Sequence, residues 1–226
     1  MESWMSDLCL HFAPGACSRV PLIALETIAV PFRVQLIRFM KGEHKTPQFK
    51  KMSPSGKIPV LVVDGTAIPQ NVAILTWLAK TYPEAKLLPE ARSTLAQAQQ
   101  LSALLRFSAD LHPLVTRIRM PHFFCDREGA PERVAEIAIT NISEHLQQIE
   151  NDLLNQPWML GDDWSVIDAY LHWVWFRITG AGFDPSPFAS ITSHFARTLE
   201  MPAVQRAISR EKDAEAILES EGLMPR

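Results

Sequence analysis

The chain has 226 residues, 47% apolar and 21% charged, with 22 basic and 25 acidic side chains mixed along its length and a formal net charge of −3. Such a chain can bury the core of one large or two modest domains, and its charge balance excludes an electrostatic footprint for nucleic acid or an anionic membrane. Cys9, Cys17 and Cys125 are too few and too widely spaced for a disulfide framework or a zinc site, so no metal is expected and any thiol chemistry is that of a single sulfur. The amino-terminal MESWMSD has no cationic region ahead of an apolar run, unlike a secretory signal. AYLHWVWF is too short to span a bilayer and runs into Arg177. A soluble, cytoplasmic protein is expected.

Leu8, Leu10 and Phe12 alternate with Cys9 and His11 as in a short strand, which the Pro-Gly of APGACS ends. Val20, Ile23, Ala24, Thr27 and Ile28 then share a helical face, with Ser18 as N-cap and Pro21 in the first turn. Residues 32–37 read as a second strand, and the βαβ order implies that the two strands are parallel. A polar, Lys-rich stretch holds at most a short helix near residues 48–51. In KIPVLVVDGTAIPQN, two strands flank Asp64-Gly65, the dipeptide of a type I′ hairpin. Val72, Ile74, Leu75 and Leu78 define a helix from Gln70-Asn71 to before Tyr82-Pro83.

Beyond Pro83 and Pro89 the pattern is helical throughout: residues 95–111, 134–154 and 166–179, then shorter helices at 191–199, 203–210 and 211–219. The expected organisation is an α/β domain over 7–85, a linker over 86–92 and an all-α domain over 93–220.

The chemistry-bearing residues gather near the strand ends. A thiol at a helix N-terminus ionises more readily because unpaired N–H groups and a partial positive charge meet it there. Cys17 has that position, although a free cysteine is also a common small core residue. Without a second cysteine at C-x-x-C, dithiol chemistry of the thioredoxin kind is disfavoured. Ile58-Pro59 enters a strand directly, so the proline is either plain punctuation or a cis bond that leaves the Ile58 backbone to pair with an extended ligand. Gln70-Asn71 opens a helix, where it either holds a carboxylate or merely caps.

The P-G-A-C-S loop, the P-x-G-x-I-P-V-L segment, the D-G-T hairpin, a polar pair before V-A-I-x-x-W-L and the helical second half together resemble the glutathione transferases, and most of all their bacterial beta class. The resemblance implies a thioredoxin-like first domain that binds glutathione as co-substrate, an all-helical second domain, a homodimer and a role in detoxification. It implies that Cys17 lies beside, or bonds to, the glutathione sulfur, with Ser18 next to it as a fallback donor. It further implies that the Ile58 main chain, preceded by Lys57, pairs with the cysteinyl part, that Pro59 is cis, and that Lys41 lies near the glycyl carboxylate. His112, in Asp110-Leu111-His112, would face the thiol.

Two departures bear on affinity and activation. The family's acidic residue and serine for the γ-glutamyl group stand here as Gln70-Asn71, and an amide can still bond an ammonium but lacks the carboxylate's charge. Glutathione binding is then weaker, or another thiol is preferred. Pro113 replaces a lysine common after the histidine. With only Tyr82 and Tyr170 in the chain, and neither near the first strand, a tyrosine-activated thiolate is not expected.

Thr116, Arg119, Met120 and Phe123, with Trp173, Phe176 and Arg177 on a later helix, are candidates for an electrophile pocket, against the plainer reading of core packing. Ser165-x-x-Asp168 is a capping-box start and is assigned to folding. The expected activity is transfer of the glutathione thiol to a small apolar electrophile. The alternatives are glutathione-dependent thiol–disulfide exchange or reductive cleavage, and a non-catalytic binding protein with a weakened site.

Overall fold

The computed structural model describes residues 6–224. In chain order they form β1 (Leu8–Phe12), α1 (Arg19–Ile28), β2 (Arg33–Leu36), α2 (Pro47–Met52), β3 (Val60–Val63), β4 (Thr66–Pro69), α3 (Asn71–Thr81), α4 (Thr94–Leu105), α5 (His112–Arg119), α6 (Ala130–Leu153), α7 (Val166–Thr179), α8 (Ala189–Leu199) and α9 (Pro202–Ser220). Residues 1–5, which carry most of the amino-terminal stretch read above, lie outside the described residues. Among the described residues no helix is long and apolar enough to cross a membrane. The chain divides into two units, one from the described parts of Met1–Leu87 and Pro202–Arg226, the other from Leu88–Met201.

The first unit is built on a four-stranded sheet of order β2-β1-β3-β4. β1 and β2 are parallel, as a βαβ crossover requires, and β3 runs antiparallel to both β1 and β4. The period-two pattern of β1 is realised: Leu8, Leu10 and Phe12 are buried, while Cys9 and His11 are half-buried on the other face. His11 meets Phe49 of α2 there, with ring centroids 6.1 Å apart. Asp64 and Gly65 both take positive φ, 48° and 81°, as the type I′ turn demands. Ser18 stands at the N-cap of α1, but its backbone is helical and its side chain makes no cap bond. The helix is held instead by its apolar face. Val20, Leu22, Ile23 and Leu25 are fully buried, each contributing about 1.5–3 kcal/mol against about 1 kcal/mol for a cap.

The carboxyl-terminal part departs from the expectation in two ways. The two short helices expected at 203–210 and 211–219 are one helix, α9, because nothing breaks the chain at Arg210-Glu211 and the buried positions Ala207, Glu211, Ala214 and Leu218 continue a single face. That helix also belongs to the first unit rather than to the all-helical domain expected over 93–220. It packs along α1, where the buried Glu26 accepts from Arg206 Nε at 2.7 Å and from Arg210 Nε.

The second unit is all-helical. Its centre is α7, buried over all ten residues from Val166 to Trp175, as expected of a helix that is apolar on every side. The capping box read from the sequence is formed, with Ser165 and Asp168 bonded reciprocally. From α6, Glu150 caps α8: its carboxylate accepts from the Ser190 and Ile191 N–H groups at 2.7 and 2.9 Å. The helix expected over 95–111 does not stop there. It runs through a π-helical stretch, Arg106–Leu111, into α5. Pro113 explains the widened turn, since its ring crowds the carbonyl four residues back and it donates no N–H; the His112 N–H bonds Phe107 O instead.

Candidate functional site

In the first unit the carboxyl ends of β1, β2 and β4 and the start of β3 share one edge of the sheet. Ala13, Ile37, Phe49, Ile58 and Val60 pack there as one buried cluster, with Ala16 against it. The Pro-Gly turn after β1, with Gly15 at φ 67°, sets Cys17 over this edge. Cys17 is 8% exposed. Its thiol donates to the Ile58 carbonyl at 3.5 Å, and Asn71 Nδ2 donates to the Cys17 carbonyl at 3.1 Å. Three segments separated by 41 and 54 residues in sequence thus meet at one residue.

Ile58-Pro59 is cis. The turn before it needs Gly56, whose φ is 65° and where a Cβ would lie 2.9 Å from the His44 carbonyl oxygen. Lys57 is exposed, its backbone pinned by Ser53 Oγ, which donates to its carbonyl at 2.8 Å. Asn71 is 6% exposed and begins α3, but its amide reaches Cys17 rather than capping the helix. Gln70, exposed, holds φ 76° and ψ 127°. A side chain other than glycine in that region costs on the order of 1–3 kcal/mol, and such outliers cluster at ligand sites.

Ser18 has a different task from the one expected of a fallback thiol donor. It is fully buried, its hydroxyl accepts from Ala13 N–H at 3.2 Å and donates to Ala13 O at 3.1 Å, and so it closes the turn that carries Cys17. Lys41 is exposed, with Nζ 2.8 Å from Glu221 Oε2. Arg38 bonds both oxygens of the same carboxylate. The two cations hold the Glu221 carboxyl down at about 2.

The remaining expected residues lie in the second unit. His112 Nδ1 is 3.1 Å from Tyr170 Oη, and its ring stands edge-on to Trp173 at 4.6 Å. Trp173 is 3% exposed, so packing and not a ligand wall accounts for it. Thr116 bonds its own helix at the His112 carbonyl, and Arg119 donates to Gly180 O at 2.8 Å. Phe176 is half-buried, and Phe123 is 70% exposed.

A glutathione S-transferase N-terminal domain model matches residues 15–81, the segment from the Cys17 turn to the end of α3. A glutathione S-transferase of Xanthomonas campestris pv. campestris is 29% identical over 203 residues, covering 89% of this chain and 98% of the relative. Over most of its length the chain is similar to glutathione transferases. Among solved structures in the family, a bacterial beta-class glutathione S-transferase of Sphingomonas chungbukensis superposes with a TM-score of 0.79 at 26% identity, covering 90% of this chain and 98% of that one. A glutathione transferase homologue from Sulfitobacter, with bound glutathione, gives 0.78 at 25% identity, covering 97% and 100%. The fold is that of these glutathione transferases: a thioredoxin-like sheet domain, then a helical domain.

One buried contact of the first unit has no local sequence signal. Arg19 and Glu211, 192 positions apart, form a buried ion pair, and only the fold brings them together. A charged residue on the otherwise apolar face of α9 was the available clue.

Proposed function

We propose that the chain is a glutathione S-transferase in which glutathione lies along the sheet edge formed by the Cys17 turn, Ile58-Pro59 and Gln70-Asn71, with its sulfur beside Cys17. The observation that carries this reading is the convergence of the Cys17 thiol on the Ile58 carbonyl, with Asn71 fixing the Cys17 backbone. Lys41 and Lys57 are the cations proposed for the ligand's carboxylates. The glutathione bound to the Sulfitobacter homologue supports the choice of ligand.

Conjugation follows from holding a thiolate at the positive end of α1, where it is a ready nucleophile at neutral pH. The sulfur attacks an electrophilic carbon, a C–S bond forms, and a halide leaves or an activated double bond takes up the charge and then a proton. His112, Thr116, Arg119, Phe123 and Phe176 are proposed for the electrophile's surroundings, with Trp173 as packing beneath. We propose a homodimer as well. Leu101 and Leu105, one turn apart on α4 and 43% and 44% exposed, supply apolar surface for it, and the mass by light scattering tests it.

A second reading is favoured by the engagement of the Ser18 hydroxyl, which leaves Cys17 as the working side chain of the turn. A Cys17 thiolate attacks one sulfur of oxidised glutathione, forming a Cys17–glutathione disulfide and releasing glutathione thiolate. Intact mass and peptide mapping after exposure to oxidised glutathione decide between the two. A single adduct that reductant removes and Cys17→Ala abolishes supports exchange chemistry. Full retention of aryl halide conjugation in Cys17→Ala limits Cys17 to a bystander, and no glutathione binding at millimolar concentration overturns both readings.

A further inference from the structure

The last helix reaches the cysteine turn two residues beyond the sulfur. Arg19, the first residue of α1 and two after Cys17, donates Nε to Glu211 Oε2 at 2.9 Å, and Nη2 binds the same oxygen. Gly15, two before Cys17, acts on the same carboxylate through its backbone and draws its pKa down. Arg19 is 5% exposed and Glu211 1% exposed. Burying two charges removes hydration worth several kcal/mol per ion, and apolar pairs of similar volume often replace such bridges without loss of stability. Stability alone therefore does not account for a charged pair at this place. The geometry does, because this carboxylate binds the first residue of the helix that the cysteine turn feeds.

We infer that Glu211, acting through Arg19, is a positioning residue for Cys17: it fixes the turn so that the sulfur stays at the N-terminus of α1 and against the Ile58 carbonyl. The inference rests on the reading of Cys17 as the residue beside the reacting sulfur. Burial raises the Glu211 carboxyl above its ordinary value, with Arg19 and the Gly15 backbone pulling against it. The other contacts of α9 with α1 are independent of the turn. Glu26, seven residues further along α1, takes Arg206 and Arg210.

The test uses the full chain in three variants. Arg19→Met/Glu211→Leu replaces the pair with apolar side chains, Glu211→Gln keeps the shape and one acceptor, and Glu26→Gln weakens the same helix contact away from the turn. Two readouts are taken: the rate at which Cys17 forms its mixed disulfide with oxidised glutathione across a pH series, and amide hydrogen exchange in peptides covering residues 13–20. In the double variant the Cys17 rate falls tenfold or more, the midpoint of its pH profile moves upward, and exchange over 13–20 accelerates tenfold or more while the melting temperature stays near the parent's. Glu211→Gln shows the same changes at about a third of that size, and decides the matter if the double variant does not fold. Glu26→Gln leaves both readouts within twofold of the parent. Parental rate and parental exchange in the folded Glu211 variants overturn the inference, as does an equal effect of Glu26→Gln. If the parent's Cys17 forms no disulfide, the thiol reading is what fails, and exchange over 13–20 still decides whether Glu211 holds the turn.

Discussion

Replacing Asp168 by Asn tests how the second unit is held together. The Asp168 carboxylate is fully buried and accepts four bonds: Oδ1 from Met159 N–H and His194 Nε2, both at 2.8 Å, and Oδ2 from Ser165 N–H and Oγ at 2.8 and 2.9 Å. An amide has one oxygen for the four. If that oxygen serves Ser165, the NH2 group turns toward Met159 and His194; the imidazole can present a lone pair, but the Met159 N–H faces another donor. The reverse flip leaves the Ser165 N–H in the same position. One buried donor is therefore orphaned in either orientation, at about 1–3 kcal/mol, and the bonds that remain lose their charge assistance. The expected loss is about 3 kcal/mol, or about 6–12 °C in Tm for a chain of this length. Urea unfolding followed by the fluorescence of Trp158, Trp164, Trp173 and Trp175, all in this unit, measures it. A loss below about 1 kcal/mol would mean that the network is not the closed four-donor arrangement described, and the reasoning fails.

Glu150→Gln removes one of the two N–H bonds that start α8 and is expected to cost about 1–3 kcal/mol, with faster hydrogen exchange confined to Ser190 and Ile191 at first; unchanged exchange at both amides refutes the cap. The Glu221 carboxyl is held at about 2 by Arg38 and Lys41, below its ordinary 4.5. A depressed folded-state value stabilises above the unfolded value and is lost as pH falls through the folded one. The urea midpoint of Glu221→Gln should therefore lie below the parent's by a constant amount above about pH 5.5 and converge with it toward about pH 2, and a gap that widens on acidification contradicts the assignment.

What the sequence revealed was what short periods encode. Leu8, Leu10 and Phe12 state their pleat, Asp64-Gly65 states its turn, and Ser165 and Asp168 state a helix start within four residues. Each of those signals is complete inside one element. The positions misread or left open share the opposite property. Ser18 has the type and place of an N-cap, but its hydroxyl is drawn to Ala13 because the Pro-Gly turn brings that backbone close. Asn71 also has a cap's type and place, and its amide goes to a carbonyl 54 residues earlier.

The allegiance of α9 is the largest case. Half of its buried positions are small, Ala203, Ala207 and Ala214, so the pattern shows a face that lets another helix approach closely without showing which helix. The choice of α1 is made by complementary charge: Glu26 against Arg206 and Arg210, and Arg19 against Glu211. Pairs of this kind have no period and leave no local trace in the sequence. The Cys17 turn of the sheet domain is tied here to a residue of the last helix, so truncation before Glu211 should alter Cys17 chemistry even though every residue of the sheet edge remains. A chain ending at Ser209 that keeps the parent's Cys17 reaction rate and glutathione affinity would show that the edge is self-sufficient, and that the ion pair serves docking of the helix alone.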